Sequence, residues 1–177
     1  MTCKKKVLVA PLNWGLGHAT RCIPIINALI KANYEPILAS DGDALILLQK
    51  EFPLLKSYTL PSYNIKYSKS GQNLKFKLLL SIPSVITAVR KEHALVARIL
   101  KKEAIVGIIS DNRFGVYNSN IPSVYITHQL TVLSGKTTGI TSKTHQKIIK
   151  NFNECWVPDF ENEPSLSGNL GHLKTND

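Results

Sequence analysis

Short apolar runs alternate with longer amphipathic stretches along most of the chain. The short runs are rich in Val, Ile and Leu, which is typical of strands buried on both faces of a sheet. We expect six such strands, over Lys6–Pro11, Pro36–Ser40, Leu54–Leu60, Ala104–Ser110, Ser123–Thr127 and Glu154–Val157. Helical spacing of apolar residues predicts helices over Ala19–Ala32, Ala44–Glu51, Leu74–Ile82, the stretch from Pro83 to Glu103, and Thr144–Phe152.

The regular alternation of strand and helix predicts the class of fold. Parallel strands joined by helices form a sheet that is covered on both faces. We therefore expect an α/β fold, a Rossmann-like parallel sheet with helices on both faces. The segment after Pro158 is polar, contains Pro164 and Gly168, and lacks periodicity. We expect one domain over 1–158, followed by a linker over 159–177.

Length and composition narrow the class of protein. The 177 residues suffice for one domain with its own core, and 44% of them are hydrophobic, too many for a disordered chain. No apolar run approaches the roughly 20 residues of a membrane span. Pro11 interrupts the apolar start too early for a secretion signal, and the three cysteines, Cys3, Cys22 and Cys155, have no metal-binding spacing. We expect a cytoplasmic location.

The positive charge is concentrated in one quarter of the chain. The formal net charge is 22 − 12 = +10, and residues 61–105 hold nine basic and two acidic residues, a net of +7. A patch of this kind favours an anionic partner, although a solvated helix face is an equally simple interpretation. Its lysines alternate with aromatic and aliphatic residues, which is typical of a protein peripheral to an anionic membrane. The candidate membrane-contact residues are Lys66, Lys69, Lys75, Phe76 and Lys77.

Nucleic acid is not expected as a partner, because no recognition motif accompanies the charge. Asp41-Gly42-Asp43 has the spacing of a metal-binding pair, but it lies between a strand and a helix, where a turn capped by Asp43 explains it. No Gly-x-Ser-x-Gly motif and no Cys–His arrangement supports covalent hydrolysis. We expect neither a metal nor a cofactor.

The loop after the first strand carries the first candidate site residues. Asn13, Gly15 and Gly17 lie between that strand and the next helix. Glycines allow a tight turn and a close approach of a ligand to the backbone, and the free amides of the helix can bind phosphate or a hydroxyl. The match to the dinucleotide fingerprint is only partial, because Thr20 stands where a third small residue is required. A turn with packing duties only remains the alternative.

Two residues at the start of that helix extend the candidate site. The helix dipole disfavours charging of an imidazole at a helix N-terminus, so His18 is suited to act as a neutral base. Arg21 lies one turn further on and could pair with an anion at the same place. A purely structural histidine is the alternative interpretation.

Polar residues also follow the fourth and fifth predicted strands. Asp111, Asn112 and Arg113 follow the fourth, and His128 and Gln129 follow the fifth. Strands one, four and five are commonly neighbours at the switch point of such sheets, so these ends are expected to converge with the first loop. Asp111 and His128 are then candidate general bases, and the other three would orient hydroxyls or anions. A helix cap and a loop hydrogen bond are the structural alternatives.

These segments together resemble one family. The stretch from Pro11 to Arg21 resembles the glycine-rich first loop of GT-B glycosyltransferases related to the peptidoglycan N-acetylglucosaminyltransferase and the monogalactosyldiacylglycerol synthases. The segments Ile109–Gly115 and Tyr125–Leu130 are similar to the matching strand ends, and Trp156–Asp159 is similar to the segment that leads to the second domain.

The resemblance implies an acceptor-binding N-terminal domain that faces a nucleotide-sugar-binding domain across a cleft. Enzymes of this kind typically need no metal and transfer sugar from a UDP-sugar, often to a lipid-linked acceptor at a membrane. His18 matches the loop histidine of the family, and His128 falls at a histidine-led motif whose neighbouring residues differ here. Catalysis would involve His18, Asp111 and His128.

The donor-binding half of such an enzyme is absent from this sequence. We therefore expect either a truncated reading frame or a chain completed by a separate donor-binding subunit, inactive as the isolated half. Two other interpretations stay open. One is a non-catalytic membrane-peripheral subunit, and the other is half of a sugar-nucleotide epimerase.

Overall fold

The computed structural model describes residues 4–63, 74–131, 138–159 and 170–171, with side chains except at 74–82, 138 and 140. Strands and helices alternate along these residues. The strands are β1 (Lys6–Pro11), β2 (Glu35–Ser40), β3 (Ser57–Thr59), β4 (Ile105–Asp111), β5 (Ser123–Ile126) and β6 (Glu154–Trp156). The helices are α1 (Gly17–Lys31), α2 (Gly42–Glu51), α3 (Leu74–Glu103) and α4 (Thr138–Ile149).

The six strands form one parallel sheet in the order β3-β2-β1-β4-β5-β6. The chain builds outward from β1 in one direction, and then returns to its other side with β4. This reversal places the topological switch point, where open α/β sheets bind ligands, at the carboxyl ends of β1 and β4. Pro11 pairs with Asp111, and Asp111 pairs with Ile126, so three strands end at the same level. The predicted neighbourhood of β1, β4 and β5 is confirmed.

Successive residues of β1 face opposite layers, as the two-residue period of a strand requires. Leu8 and Ala10 belong to a buried core cluster that includes Val96 and Ile99 of α3. Val7 and Val9 belong to a second cluster, formed with residues of α1 and α2 that include Cys22, Ile26 and Leu48. Both faces of the sheet are therefore covered by helices, and the predicted α/β fold is confirmed.

Several predicted boundaries are wrong. β3 is shorter than Leu54–Leu60, because only Ser57–Thr59 pair with β2 and Leu54 is 97% exposed. α3 continues through Pro83, since one missing backbone donor does not end a helix whose later turns pack on the sheet. α4 begins at Thr138, before the predicted start at Thr144. No helix among the described residues is long and apolar enough to cross a membrane.

Candidate active site

The carboxyl ends of β1, β4 and β5 bring the candidate site residues to one edge of the sheet. The loop after β1 turns at Gly15, whose φ of +78° suits a residue without a Cβ, and α1 begins at Gly17. A Cβ built on either glycine would meet no other atom within 4 Å. The first turn of α1 therefore starts beside open space at the switch point of the sheet.

His18 and Asp111 are in direct contact at this edge. His18 Nδ1 lies 2.8 Å from Asp111 Oδ1, and both side chains are buried. A carboxylate oxygen only accepts hydrogen bonds, so we assign the proton to Nδ1, which donates to Asp111. In the neutral form of the ring, the lone pair is then on Nε2. This arrangement of carboxylate and imidazole is the one that orients a histidine as a general base.

Arg21 holds the same carboxylate from the next turn of α1. Its Nε donates to Asp111 Oδ2 at 2.8 Å, and its Nη2 donates to Oδ1 at 2.6 Å. Nη2 also lies 3.0 Å from His18 Nδ1, because both donors converge on the one oxygen. A fully buried carboxylate requires such pairing, and the two-point contact fixes its plane.

The buried thiol of Cys22 also contacts this carboxylate, with Sγ 3.9 Å from Asp111 Oδ2. Burial, followed by the negative charge of Asp111, raises the pKa of the Cys22 thiol well above its usual value. The thiol therefore stays protonated, and it is not available as a nucleophile.

His128 follows β5 beside the same cluster. Burial lowers the pKa of His128, and the nearby side chains of Arg21 and His18 lower it further, against a smaller opposing effect of Asp111. His128 is therefore neutral near pH 7 and can accept or donate one hydrogen bond. Gln129 is half-buried next to it, and its backbone amide donates to Thr127 Oγ1 at 3.1 Å.

Asn112 directs its side chain into the protein. Its backbone has a φ of +61°, a left-handed conformation that asparagine tolerates better than most residues. Asn112 Oδ1 accepts a hydrogen bond from Tyr125 Oη at 2.8 Å, and Tyr125 Oη lies 3.1 Å from His145 Nε2. The predicted ligand-orienting oxygen is thus engaged by a residue of β5.

Arg113 is completely buried, and its guanidinium lies away from His18. It donates to the backbone oxygens of Pro11 at 2.9 Å and Pro61 at 3.3 Å. It also pairs with Glu92 at 2.6 Å and with Asp41. Its hydrogen bonds therefore tie together the segments that follow β1, β2 and β3, which is a structural role that the sequence interpretation missed.

A signal for this network was present in the sequence. Glu92 is a fully buried carboxylate that lies between Ala88 and Val96 on the buried side of α3, at helical spacing. A lone charge on an apolar stripe needs an internal partner of opposite charge. The arginine that follows β4 was a candidate for that partner.

Asn13 also makes its contacts within the protein. Its Nδ2 donates to Asp41 Oδ2 at 3.3 Å, and its Oδ1 accepts from the backbone amide of Ala44 at 3.3 Å. Asn13 thus satisfies one free amide in the first turn of α2. The predicted capping by Asp43 is wrong, because α2 already begins at Gly42 and Asp43 lies inside its first turn.

The membrane-contact candidates fall outside the described side chains. Lys66 and Lys69 lie outside the described residues, and only the backbone of α3 is described at Lys75, Phe76 and Lys77. The described residues contain no group of three or more His, Cys, Asp or Glu side chains placed to hold a metal ion.

Comparisons with known proteins define the class of fold. No family model and no curated protein matches the sequence. Solved structures do match, and they show the fold expected for the N-terminal half of a GT-B glycosyltransferase, at sequence identities that carry no further conclusion.

Three structures represent these matches. A Streptomyces glycosyltransferase, SsfS6, has a TM-score of 0.51 at 12% identity, over 84% of this chain and 47% of its own. A UDP-glucosyltransferase from Polygonum tinctorium gives 0.52 at 10%, over 91% and 47%. A proposed UDP-N-acetylglucosamine 2-epimerase from Listeria monocytogenes gives 0.57 at 9%, over 89% and 40%. The chain therefore spans less than half the length of each.

Proposed function

We propose that the chain is the acceptor-side half of a glycosyltransferase that moves a hexose or N-acetylhexosamine from a UDP-sugar to an acceptor hydroxyl, including that of a lipid-linked acceptor. The observation that supports this most is the buried contact of His18 Nδ1 with Asp111 Oδ1, 2.8 Å apart at the switch point of the sheet. This contact leaves Nε2 of His18 free to act as a base. The fold that carries it is shared by solved glycosyltransferases.

His18 would act as the general base. As the acceptor oxygen attacks the anomeric carbon of the sugar, His18 Nε2 takes the hydroxyl proton. The new carbon–oxygen bond forms while the bond from the anomeric carbon to the UDP oxygen breaks, and UDP leaves with the electron pair. A single displacement of this kind inverts the anomeric carbon.

Asp111 and Arg21 would support this step without touching the sugar. Asp111 keeps the His18 proton on Nδ1 and stabilises the imidazolium that forms, while Arg21 fixes the plane of the carboxylate through two hydrogen bonds. His128 would bond a hydroxyl of the acceptor or the sugar. The open space beside Gly15 and Gly17 would admit the donor phosphates to the N-terminus of α1.

The other half of the enzyme would supply most of the nucleotide-sugar site. We propose that a donor-binding domain or subunit closes over the edge of the sheet that carries His18. On this proposal neither a metal nor a cofactor is needed, since the N-terminus of α1 provides partial positive charge there.

The experiment assays UDP release when the chain is combined with that donor-binding half, together with a UDP-sugar and candidate acceptors. His18→Ala should lower kcat by about 10²–10⁴-fold, the usual range for loss of a general base. His93→Gln is the matched control, because this α3 histidine contacts the Gly115 carbonyl oxygen and should leave the rate nearly unchanged. A His18→Ala variant with the wild-type rate would overturn the proposed role of His18.

Half of a sugar-nucleotide epimerase is the second candidate. It is favoured by the TM-score of 0.57 with the proposed UDP-N-acetylglucosamine 2-epimerase. The same assay separates the two functions. An epimerase converts its UDP-sugar without an acceptor, whereas a transferase needs the acceptor hydroxyl and forms a new glycoside.

A further inference from the structure

Asp111 and Asn112 are consecutive residues whose side chains lie on opposite faces of the sheet. Asp111 contacts His18 and Arg21 of α1. Asn112 bonds Tyr125, which alternates along β5 with residues that pack toward α1, and therefore faces the other layer. This divergence continues the two-residue period of β4, and the φ of +61° at Asn112 turns the chain after it.

A chain of hydrogen bonds holds Asn112 from that other layer. The single hydroxyl proton of Tyr125 is donated to Asn112 Oδ1, which can only accept. The second contact of the hydroxyl, with His145 Nε2 at 3.1 Å, therefore requires that Nε2 carries a proton and donates it. The two hydrogen bonds are therefore donated in one direction, from His145 to Tyr125 and from Tyr125 to Asn112.

The state of His145 agrees with this direction. Its side chain is buried. Burial lowers the pKa of His145, against a smaller opposing effect of a hydrogen bond with the Gln129 backbone, so the ring is neutral near pH 7 with one proton. With that proton on Nε2, the other nitrogen holds only a lone pair. Nδ1 of His145 is the one buried side-chain nitrogen or oxygen among the described residues that makes no hydrogen bond of ordinary geometry. The chain of hydrogen bonds thus begins at His145.

This chain restrains the backbone on which Asp111 depends. A non-glycine residue keeps a left-handed conformation only where its surroundings hold it there. The Asn112 amide donates to the Ile126 oxygen at 3.1 Å, and its side chain is held by Tyr125, so both ends of the residue are anchored to β5. Ser110 Oγ also donates to the Arg113 oxygen at 2.6 Å, across this residue, so loss of the side-chain anchor loosens the peptide after Asp111 without unfolding the turn.

We propose that Tyr125 and His145 are positioning residues for the His18–Asp111 pair. They hold Asn112 in its left-handed conformation, which keeps Asp111 on His18 Nδ1 and so keeps the lone pair of His18 on Nε2. The inference rests on the proposed function only for its catalytic meaning. Its structural content, the fixed tautomer of His18, is measurable without turnover.

The test compares the ring-nitrogen chemical shifts of His18 in the chain and its variants, at a pH where the histidine rings are neutral. These shifts report the ratio of the Nδ1-protonated to the Nε2-protonated form. Tyr125→Phe should lower this ratio roughly fivefold, the effect expected from the net contribution of one hydrogen bond. Tyr117→Phe removes a hydroxyl from the same aromatic cluster but leaves the chain of hydrogen bonds intact, and should not change the ratio.

Changes at two further positions keep the test decisive if Tyr125→Phe does not fold. Asn112→Ala lacks the acceptor oxygen and disfavours the positive φ, so it should lower the ratio as well, whereas Asn112→Gly adopts the positive φ without an anchor and should preserve it. His145→Gln retains a donor and should preserve the ratio, whereas His145→Leu should lower it. In a complete enzyme, Tyr125→Phe should reduce kcat with little change in KM.

A folded Tyr125→Phe or Asn112→Ala variant with the wild-type tautomer ratio overturns the inference. So does a Tyr117→Phe variant that changes the ratio equally. Neither result bears on the proposed glycosyl transfer, which is tested by the activity of His18→Ala. Conversely, an active His18→Ala enzyme would contradict the catalytic role of His18. It would not contradict the inference that Tyr125 and His145 position the His18 ring in the wild-type chain.

Discussion

Glu92 connects three separate segments through one buried carboxylate. Its Oε1 accepts from Arg113 at 2.6 Å, and its Oε2 accepts from Tyr63 Oη at 2.7 Å and from the Gly115 amide at 2.8 Å. A buried charge is tolerated only when it is paired and its lone pairs are used. The network therefore fixes the segments after β3 and β4 to α3.

Removal of the arginine from this network should be strongly destabilising. Arg113→Met leaves the carboxylates of Asp41 and Glu92 without their cation, and breaking a buried pair in this way costs about 3–5 kcal/mol. The free energy of unfolding from urea titration checks this value. Arg98→Met, on the exposed side of the same helix, is the control and should change stability by less than about 0.5 kcal/mol. Equal effects would contradict the structural role of Arg113.

Gly115 should not tolerate a side chain. A Cβ at this position would lie 2.6 Å from the Val89 backbone oxygen and 2.8 Å from Glu92 Oε2, closer than real contacts allow. Gly115→Ala should therefore lower the free energy of unfolding by about 1–3 kcal/mol through overpacking. Gly139→Ala adds the same methyl group where no atom lies within 4 Å, in the first turn of α4, and should change stability by less than about 0.5 kcal/mol. Matching losses in the two variants would contradict the close contact at Gly115.

The sequence placed candidate residues at the right edge of the sheet but not the direction of each side chain. Strand order brings Asp111 and His18 together, because β1 and β4 are neighbours. The direction of Arg113 depends on the left-handed turn at Asn112, which no periodic pattern encodes. Asp-Asn-Arg therefore reads as one polar cluster, although only its first residue lies at the candidate site.

At the scale of elements, the opposite edge of the sheet is held by Glu103 at the end of α3. Its carboxylate accepts from Lys6 Nζ of β1 at 3.0 Å, from Lys56 Nζ at 2.5 Å, and from the hydroxyl of Tyr58 in β3. The long helix is thereby joined to the start of two strands. α3 ends directly before β4 because the next residue, Ala104, has a left-handed backbone with a φ of +49°.

The contacts of Glu103 make the free energy of unfolding depend on pH in the acid range. The hydrogen bond from Lys56, followed by those from Tyr58 and Lys6, lowers the pKa of Glu103 to about 2, from an ordinary value of 4.5. A lowered carboxylate pKa contributes stability that is complete above the ordinary value and is lost as the pH falls from about 4.5 toward 2. Urea midpoints should therefore fall more steeply in this range for the wild type than for Glu103→Gln.

The control for that measurement is Glu51→Gln, at the exposed end of α2. Its acid dependence should match that of the wild type. A Glu103→Gln protein that loses stability with acid as steeply as the wild type would contradict the role of the Glu103 contacts.

The order of elements was predictable because each strand and helix has its own periodic pattern. The boundaries of β3 and α3 were not. β3 ends where pairing with β2 ends, and Pro83 is accommodated because the turns that follow it pack on the sheet. Both depend on contacts between segments far apart in sequence, which local patterns do not contain.

At the scale of the whole molecule, the charge and the candidate site occupy different parts of the chain. Residues 61–105 carry a net charge of +7, while residues 106–177 are neutral, with six basic and six acidic side chains. The candidate site is built from the ends of β1, β4 and β5. A membrane-facing segment could therefore be altered without a change in the His18–Asp111 pair.

We expect the chain to bind vesicles that contain anionic phospholipid at low salt and to be released at high salt, because screening weakens contacts between lysine and headgroup. Lys66→Ala combined with Lys69→Ala should weaken co-sedimentation by at least about tenfold, since each lysine near such a surface contributes about 1 kcal/mol. Lys147→Ala with Lys150→Ala removes the same charge from exposed positions at the end of α4 and should have little effect. Failure to bind anionic vesicles at low salt, or equal weakening by the two pairs, would contradict membrane contact by this segment and leave a solvated helix face as its explanation.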